Sequence, residues 1–257
     1  MRALPQLMVA PTGARRGKAD HPALPVTLPE IVETARACFE AGADGLHLHL
    51  RDAEGRHLLD AGAYREALEE LRHAVPGMAL QVTTEAAERY APPAQRAVAL
   101  GAGADLVSVA LREMAAEVEE APGFYAACAG RGIAVQHILY DAGDFDLLAR
   151  LVPEGLRDAA DLQLIFVLGR YSAGQQSDAR DLVPLLDRLA TRDSPADWAA
   201  CAFGRTEIAC LLAAHEAGGK LRVGFENNLW HADGRLARDN AERVRAVRRA
   251  LPRCRGG

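Results

Sequence analysis

The chain has 257 residues, enough for one large domain with a substantial core. Its net charge of −5, with charged residues at 25%, excludes the basic footprint that a nucleic-acid or anionic-membrane surface requires. Its five cysteines (Cys38, Cys128, Cys201, Cys210 and Cys254) are odd in number and scattered without a CxxC, which excludes a disulfide frame and points to buried thiols in a reducing compartment.

Read in chain order, the pattern alternates strand and helix. Leu7–Ala10 is a short apolar strand that stops at Pro11-Thr12-Gly13. Thr27-Leu28-Pro29-Glu30 is a capping-box start for a helix whose apolar face is Ile31, Ala35, Cys38 and Phe39, closed by Ala41-Gly42. Gly45–Leu50 is the second strand, and a helix follows from Ala61 to Val75. Strands are then expected at Ala79–Thr83, Leu106–Leu111, Ala134–Tyr140, Leu162–Leu168, Trp198–Phe203 and Leu221–Phe225. Helical stripes run over Ala91 to Leu100, Phe145 to Val152, Asp181 to Leu189, Thr206 to Ala217 and Asn240 to Leu251. The basic residues from Arg243 through Arg255 read as a solvated helix face and tail.

Strands separated by helices of this length require parallel pairing with right-handed crossovers. Eight such units in 257 residues is the size of a (β/α)8 barrel, and the whole chain, 1–257, is expected to form one such domain. A doubly wound open sheet is the competing fold, but the chain carries neither GxGxxG nor GxxxxGK[ST]. It opens without a signal-peptide pattern and holds no apolar run of the ~20 residues a membrane span needs, so a cytoplasmic location is expected.

The second strand carries the chemistry. Side chains alternate faces along a strand, so His47 and His49 point one way and Leu46, Leu48 and Leu50 the other. Two imidazoles ~7 Å apart along the chain can converge on one divalent ion, and catalytic zinc sites combine such nitrogens with a carboxylate and an open position. An isolated HxH is equally a strand end satisfied by backbone and solvent. The barrel decides between the two readings, because catalytic groups of this fold lie at the carboxyl ends of the strands. At the end of the eighth strand, Arg222, Gly224 and Glu226 share a face. Glu226 beside Arg222 alone would read as a rim ion pair; with the HxH at the same end, a His47/His49/Glu226 metal site is the better reading.

Thr12, Thr83, Thr84 and Ser108 meet the same rim, where hydroxyls serve either a developing oxyanion or a helix cap. Arg15, Arg16 and Lys18 form a basic loop, a solvated one by default, though a clamp for a carboxylate or CoA phosphate would use such residues. His137 reads as a satisfied core histidine. His21, His57, His73, His215 and His231 receive no chemical role.

The segments Ala10-Pro11-Thr12-Gly13-Ala14, Leu24-Pro25-Val26-Thr27, His47-Leu48-His49-Leu50-Arg51-Asp52, Phe166-Val167-Leu168-Gly169 and Gly224-Phe225-Glu226-Asn227-Asn228 resemble, in this order, the β-keto acid cleavage enzymes. The resemblance implies a (β/α)8 barrel with one Zn2+, a homotetramer, and a retro-Claisen exchange in which a β-keto acid and acetyl-CoA give acetoacetate and a new acyl-CoA. It implies His47, His49 and Glu226 as zinc ligands, Thr83 and Ser108 as active-site hydroxyls, and Arg222 as the arginine that works with an acidic neighbour of the metal-binding Glu. Three positions depart from the pattern. Asn227 stands where that acid belongs, and an amide accepts no proton at neutral pH. Arg15 stands where members acting on amino substrates carry Glu, which favours an anionic or neutral substrate end. Thr84-Glu85 replaces Gly-Gly, leaving Glu85, Asp141 or a zinc-bound water as candidates for the base.

The alternatives are a zinc hydrolase of the amidohydrolase type, which also uses HxH on a barrel but on its first strand, and a catalytically retired barrel that binds metal and keto acid. Asn227 is the residue that favours retirement.

Overall fold

The computed structural model describes residues 3–252, and in it eight parallel strands close into a barrel. In spatial order the staves are β1 (Leu7–Val9), β10 (Lys220–Val223), β9 (Asp197–Ala202), β8 (Gln163–Leu168), β7 (Ala134–Leu139), β6 (Leu106–Ala110), β5 (Ala79–Thr83) and β2 (Gly45–Leu48). The remaining strands, β3 (Leu50–Arg51) and β4 (His57–Leu58), form a small antiparallel hairpin outside the barrel. The principal helices between the staves are α1 (Leu28–Glu40), α2 (Ala61–Ala74), α3 (Pro92–Gly101), α4 (Leu111–Met114), α5 (Ala121–Gly130), α6 (Asp144–Leu151), α7 (Glu154–Arg157), α8 (Val183–Ala190), α9 (Glu207–Glu216) and α10 (Asn240–Ala250). None of the described helices is long and apolar enough to cross a membrane.

The alternation of side chains splits the core in two. Leu7, Val9, Leu46, Leu48, Val82, Val107, Val109, Leu164, Phe166 and Val223 face outward and pack on the helices. Met8, Leu106, Ala134, Ile165, Val167, Ala199, Cys201 and Phe203 fill the lumen. Each fully buried Leu, Val or Phe contributes about 1.5–3 kcal/mol relative to an exposed one. The outer layer is therefore the main source of stability, and the lumen is free to carry polar groups.

Three local expectations are corrected. The second strand ends at Leu48 rather than Leu50: the Tyr64 hydroxyl accepts from the Leu50 amide at 3.2 Å, and Leu50 turns outward to pair with Leu58. The last strand ends at Val223 rather than Phe225. Gly224 adopts φ 150°, and a Cβ there would stand 2.3 Å from the Ala10 carbonyl oxygen, so only glycine lets the backbone leave the sheet at that point. The third correction is helical. Ala121–Gly130, which shows no stripe in the sequence because it is apolar nearly all round, forms α5. The expected 181–189 helix likewise begins as a 3-10 turn, Ala179–Leu182, before α8.

His137 is buried on the outer face of β7, as expected of a core residue. Its Nδ1 lies 3.0 Å from the Gln163 carbonyl and its ring packs 5.3 Å from that of Tyr125, while burial draws its pKa down to about 4. Cys38, Cys128, Cys201 and Cys210 are buried free thiols; Cys254, like Arg253 and Arg255, lies outside the described residues.

Candidate metal centre at the barrel mouth

β2 delivers His47 into the lumen, and the break after Leu48 still leaves His49 on the same side. Their Nε2 atoms are 3.0 Å apart. Glu226 reaches them from the other end of the chain: beyond Gly224 the backbone turns, with the Asn227 and Asn228 amides both donating to the Gly224 carbonyl at 3.0 Å and the Glu226 amide donating to Ala10 O at 3.1 Å. Its Oε2 lies 3.6 Å from His47 Nε2 and 3.4 Å from His49 Nε2. Edges of this length match the ligand–ligand separations of roughly 3.3 Å that follow from tetrahedral bonds of ~2.0–2.1 Å to zinc. Oε2 is buried without a hydrogen-bond partner. The donor set, two imidazole nitrogens and one carboxylate oxygen, therefore fits a borderline divalent ion, and these three side chains are the group of potential ligands found among the described residues.

A chain of amides fixes one imidazole. His47 Nδ1 is 2.7 Å from Gln81 Oε1, Gln81 Nε2 donates to Gln136 Oε1 at 2.8 Å, and Gln136 Nε2 donates to the Leu164 carbonyl at 3.2 Å. All three side chains are buried. The other imidazole is held differently: His49 Nδ1 has no hydrogen-bond partner, and its ring packs 5.2 Å from that of His57, whose Nε2 contacts the Glu85 carbonyl at 2.9 Å. Burial draws His57 to about 3 and His47 well below its ordinary value, so both rings are neutral; for His47 that is the form a metal ligand requires.

Arg222 closes the other side of Glu226. Its Nη2 donates to Glu226 Oε1 and to Cys201 Sγ, at 3.0 and 3.2 Å. Burial opposes its charge, but the Glu226 carboxylate and the hydrogen bond to the Cys201 sulfur hold the guanidinium above its ordinary range. Burial alone would raise the Glu226 carboxyl; the Arg222 guanidinium, 3.0 Å away, leads the charges that hold it well below the carboxylate range. Burial pushes the Cys201 thiol up to about 11, so it stays protonated. Arg222 Nε and Nη1, Ser108 Oγ, Thr12 Oγ1 and Asn227 Oδ1 are all buried without partners, a concentration of unspent hydrogen-bonding capacity that a bound polar molecule would satisfy.

The remaining sequence candidates surround these groups. Thr83 ends β5 and pairs in register with Ser108 on β6; its Oγ1 accepts from the Glu85 amide at 3.0 Å. Thr83, Glu85, Tyr140, Arg170, Arg222, His47 and Glu226 line a cavity of about 40 Å³ over the triad. Above it, a cavity of about 120 Å³ is lined by Thr12, Arg15, Arg16, Glu85, Arg170 and Glu226. Arg15 is half exposed and pairs with Glu85 at 3.8 Å and Glu88 at 3.1 Å. Asn227 is buried, its Nδ2 3.8 Å from Cys201 Sγ. Thr84, by contrast, serves the fold: its hydroxyl donates to the Ser108 carbonyl at 2.7 Å.

Sequence reasoning missed Gln81, Gln136, His57 and Arg170. The first two were visible as amides on the inward face of apolar strands, where burial demands a partner. Arg16 fastens the ligand-bearing loop, with Nη1 donating to the Phe225 and Glu226 carbonyls at 2.5 and 3.0 Å. Beneath that loop, Glu207 and Arg243 form a fully buried ion pair, and Asn228 Nδ2 reaches Glu207 at 3.4 Å.

The profile of a family described as beta-keto acid cleavage enzyme matches residues 6–255. The chain belongs to that family. Two relatives illustrate its range. The chain is 28% identical over 242 residues to the 3-keto-5-aminohexanoate cleavage enzyme of Fusobacterium nucleatum, covering 91% of this chain and 86% of the relative. It is also 28% identical over 247 residues to the 3-oxoadipate:acetyl-CoA acetyltransferase of Cupriavidus necator, covering 94% and 86%. Among solved structures, the apo structure of ObcA superposes with a TM-score of 0.68 at 17% identity, over 90% of this chain and 62% of that one, a likeness of fold.

Proposed function

We propose that this enzyme catalyses a zinc-dependent exchange between a β-keto acid and acetyl-CoA, releasing acetoacetate and a new acyl-CoA. The observation that carries this reading is the His47/His49/Glu226 cluster, with ligand atoms 3.0–3.6 Å apart in a chain matched to the family from residue 6 to 255. When bound, zinc supplies Lewis-acid polarisation of the keto carbonyl.

The protein's own groups do the rest. In the exchange, the keto acid loses a proton from the carbon between its two carbonyls, and that carbon bonds to the acetyl carbon of acetyl-CoA as the thioester C–S bond breaks and frees the CoA thiolate. The CoA sulfur then takes over the original acyl group, the old carbon–carbon bond breaks, and the proton returns to acetoacetate. Arg222 Nε and Nη1, buried and unpartnered, keep donors in reserve for the substrate's anionic groups. Thr83 lines the inner cavity, and Ser108, its register partner on β6, keeps an unpartnered hydroxyl; both are placed to donate to developing oxyanions. Asn227 cannot take the proton. Apart from Glu226, Glu85 is the carboxylate lining both cavities, and we assign the proton transfer to it.

The outer cavity favours a substrate with an anionic far end. Arg15, Arg16 and Arg170 line it against Glu85 and the metal-binding Glu226, and the Cupriavidus relative is named for a dicarboxylate, 3-oxoadipate. Given acetyl-CoA and a panel of β-keto acids with anionic, neutral and cationic ends, the zinc-loaded protein is expected to release acetoacetate fastest from the anionic ones. Absence of release from every acid by folded, metal-containing protein defeats the proposal.

The retired-barrel reading rests on Asn227, and a pair of variants separates it from a rerouted base. With Glu85 as base, Glu85→Gln slows release by about 10²-fold or more, and Asn227→Asp changes it by less than a few-fold. A large gain on Asn227→Asp with no effect of Glu85→Gln would mean that the chain lost its base at position 227 and found no other.

A further inference from the structure

Proton bookkeeping along the buried amide chain leads to a conclusion about residues outside the site. A backbone carbonyl can only accept, so the group 3.2 Å from Leu164 O must be the NH2 of Gln136. Gln136 then presents its oxygen to Gln81, which must answer with its own NH2 at 2.8 Å and turn its oxygen to His47. An amide oxygen can only accept, so the proton of His47 sits on Nδ1, 2.7 Å away. Nε2 is left bare, and it is Nε2 that lies 3.0 Å from His49 Nε2 and 3.6 Å from Glu226 Oε2. Reversing any one amide sets two oxygens, or two NH2 groups, face to face at hydrogen-bond distance in a buried lumen, so the three side chains hold one orientation together.

We infer that Gln81 and Gln136 are positioning residues that lock His47 in its Nδ1–H tautomer and so prepare Nε2 to bind metal before any ion arrives. The inference rests on the proposed metal site. It assigns a role to strands β5, β7 and β8, whose Gln81, Gln136 and Leu164 carbonyl transmit the orientation across the barrel without touching substrate. His49 has no such support, its Nδ1 being without a hydrogen-bond partner, so the two imidazoles differ: His47 is preorganised by the barrel and His49 is not.

The test reads the ring and the metal separately. In the metal-free, otherwise unaltered protein, ring nitrogen NMR shifts are expected to show His47 as the Nδ1–H tautomer; an Nε2–H tautomer there overturns the inference whatever the metal affinity. In chelator competition, Gln81→Leu is expected to weaken zinc binding 10–100-fold. Gln136→Leu, which frees Gln81 to turn, is expected to weaken it by less and to give a tautomer mixture at His47. Unchanged zinc affinity in folded Gln81→Leu overturns the positioning role. If the unaltered protein binds no zinc, the metal proposal falls while the tautomer measurement still decides the relay.

Discussion

His49→Ala lowers acetoacetate release at least about 10³-fold and empties the metal site under dialysis that leaves the unaltered protein loaded. The expectation follows from the donor count. The site offers three ligand atoms, 3.0–3.6 Å apart, and removing His49 leaves only two, His47 Nε2 and Glu226 Oε2. Lewis-acid stabilisation by a bound ion is worth several kcal/mol of transition-state energy, and each 1.36 kcal/mol is tenfold in rate, so its loss accounts for three decades or more. Metal content per chain, measured beside the rate, ties the two together. His137→Gln serves as the control, since that ring faces the helices and touches Tyr125 and the Gln163 carbonyl rather than the triad. A His49→Ala protein that keeps its metal and its rate would remove His49 from the site.

The second large effect is on stability. Glu207→Ala destabilises the fold by about 3–5 kcal/mol, because it leaves Arg243 as an uncompensated charge in a fully buried setting. The loss registers as a lower midpoint in urea with little change in slope. Replacing both partners by apolar residues, Glu207→Met with Arg243→Met, recovers much of it, since a buried ion pair contributes little over a well-packed apolar pair. The location adds a functional consequence. Glu207 also holds Asn228, two residues from the metal-binding Glu226, so the single variant weakens metal binding as well as folding. Full stability in Glu207→Ala would show that the pair is not needed to hold the loop.

How far the sequence reached can be argued from particular residues. The barrel was legible because period-two apolar runs and capped amphipathic helices repeat at regular spacing, and His47, His49 and Glu226 were legible because the fold puts strand ends together. Where the strands end was not legible. The Tyr64 hydroxyl ends β2 and the Ala10 carbonyl forces Gly224 out of β10, and both are contacts between segments distant in the chain. Helix α5 escaped because it is apolar on every side and has no stripe to find. Gln81 and Gln136 stood in plain view as amides in apolar strands, but their alignment depends on the register of β5, β6 and β7, which a single sequence does not supply.

The seam between β1 and β10 gives the site a place in time. Glu226 enters only when the last strand docks beside the first, with Leu7, Met8 and Val9 opposite Leu221, Arg222 and Val223. A nascent chain still lacking that strand has two imidazoles and no carboxylate, and so no complete set of ligands to offer a passing ion. On the proposed metal reading, the complete ligand set exists only in the closed barrel. By the same linkage, metal supplied at 1,000 times its dissociation constant adds about 4.1 kcal/mol to the closed state, fastening the two ends of the polypeptide like a clasp shut last.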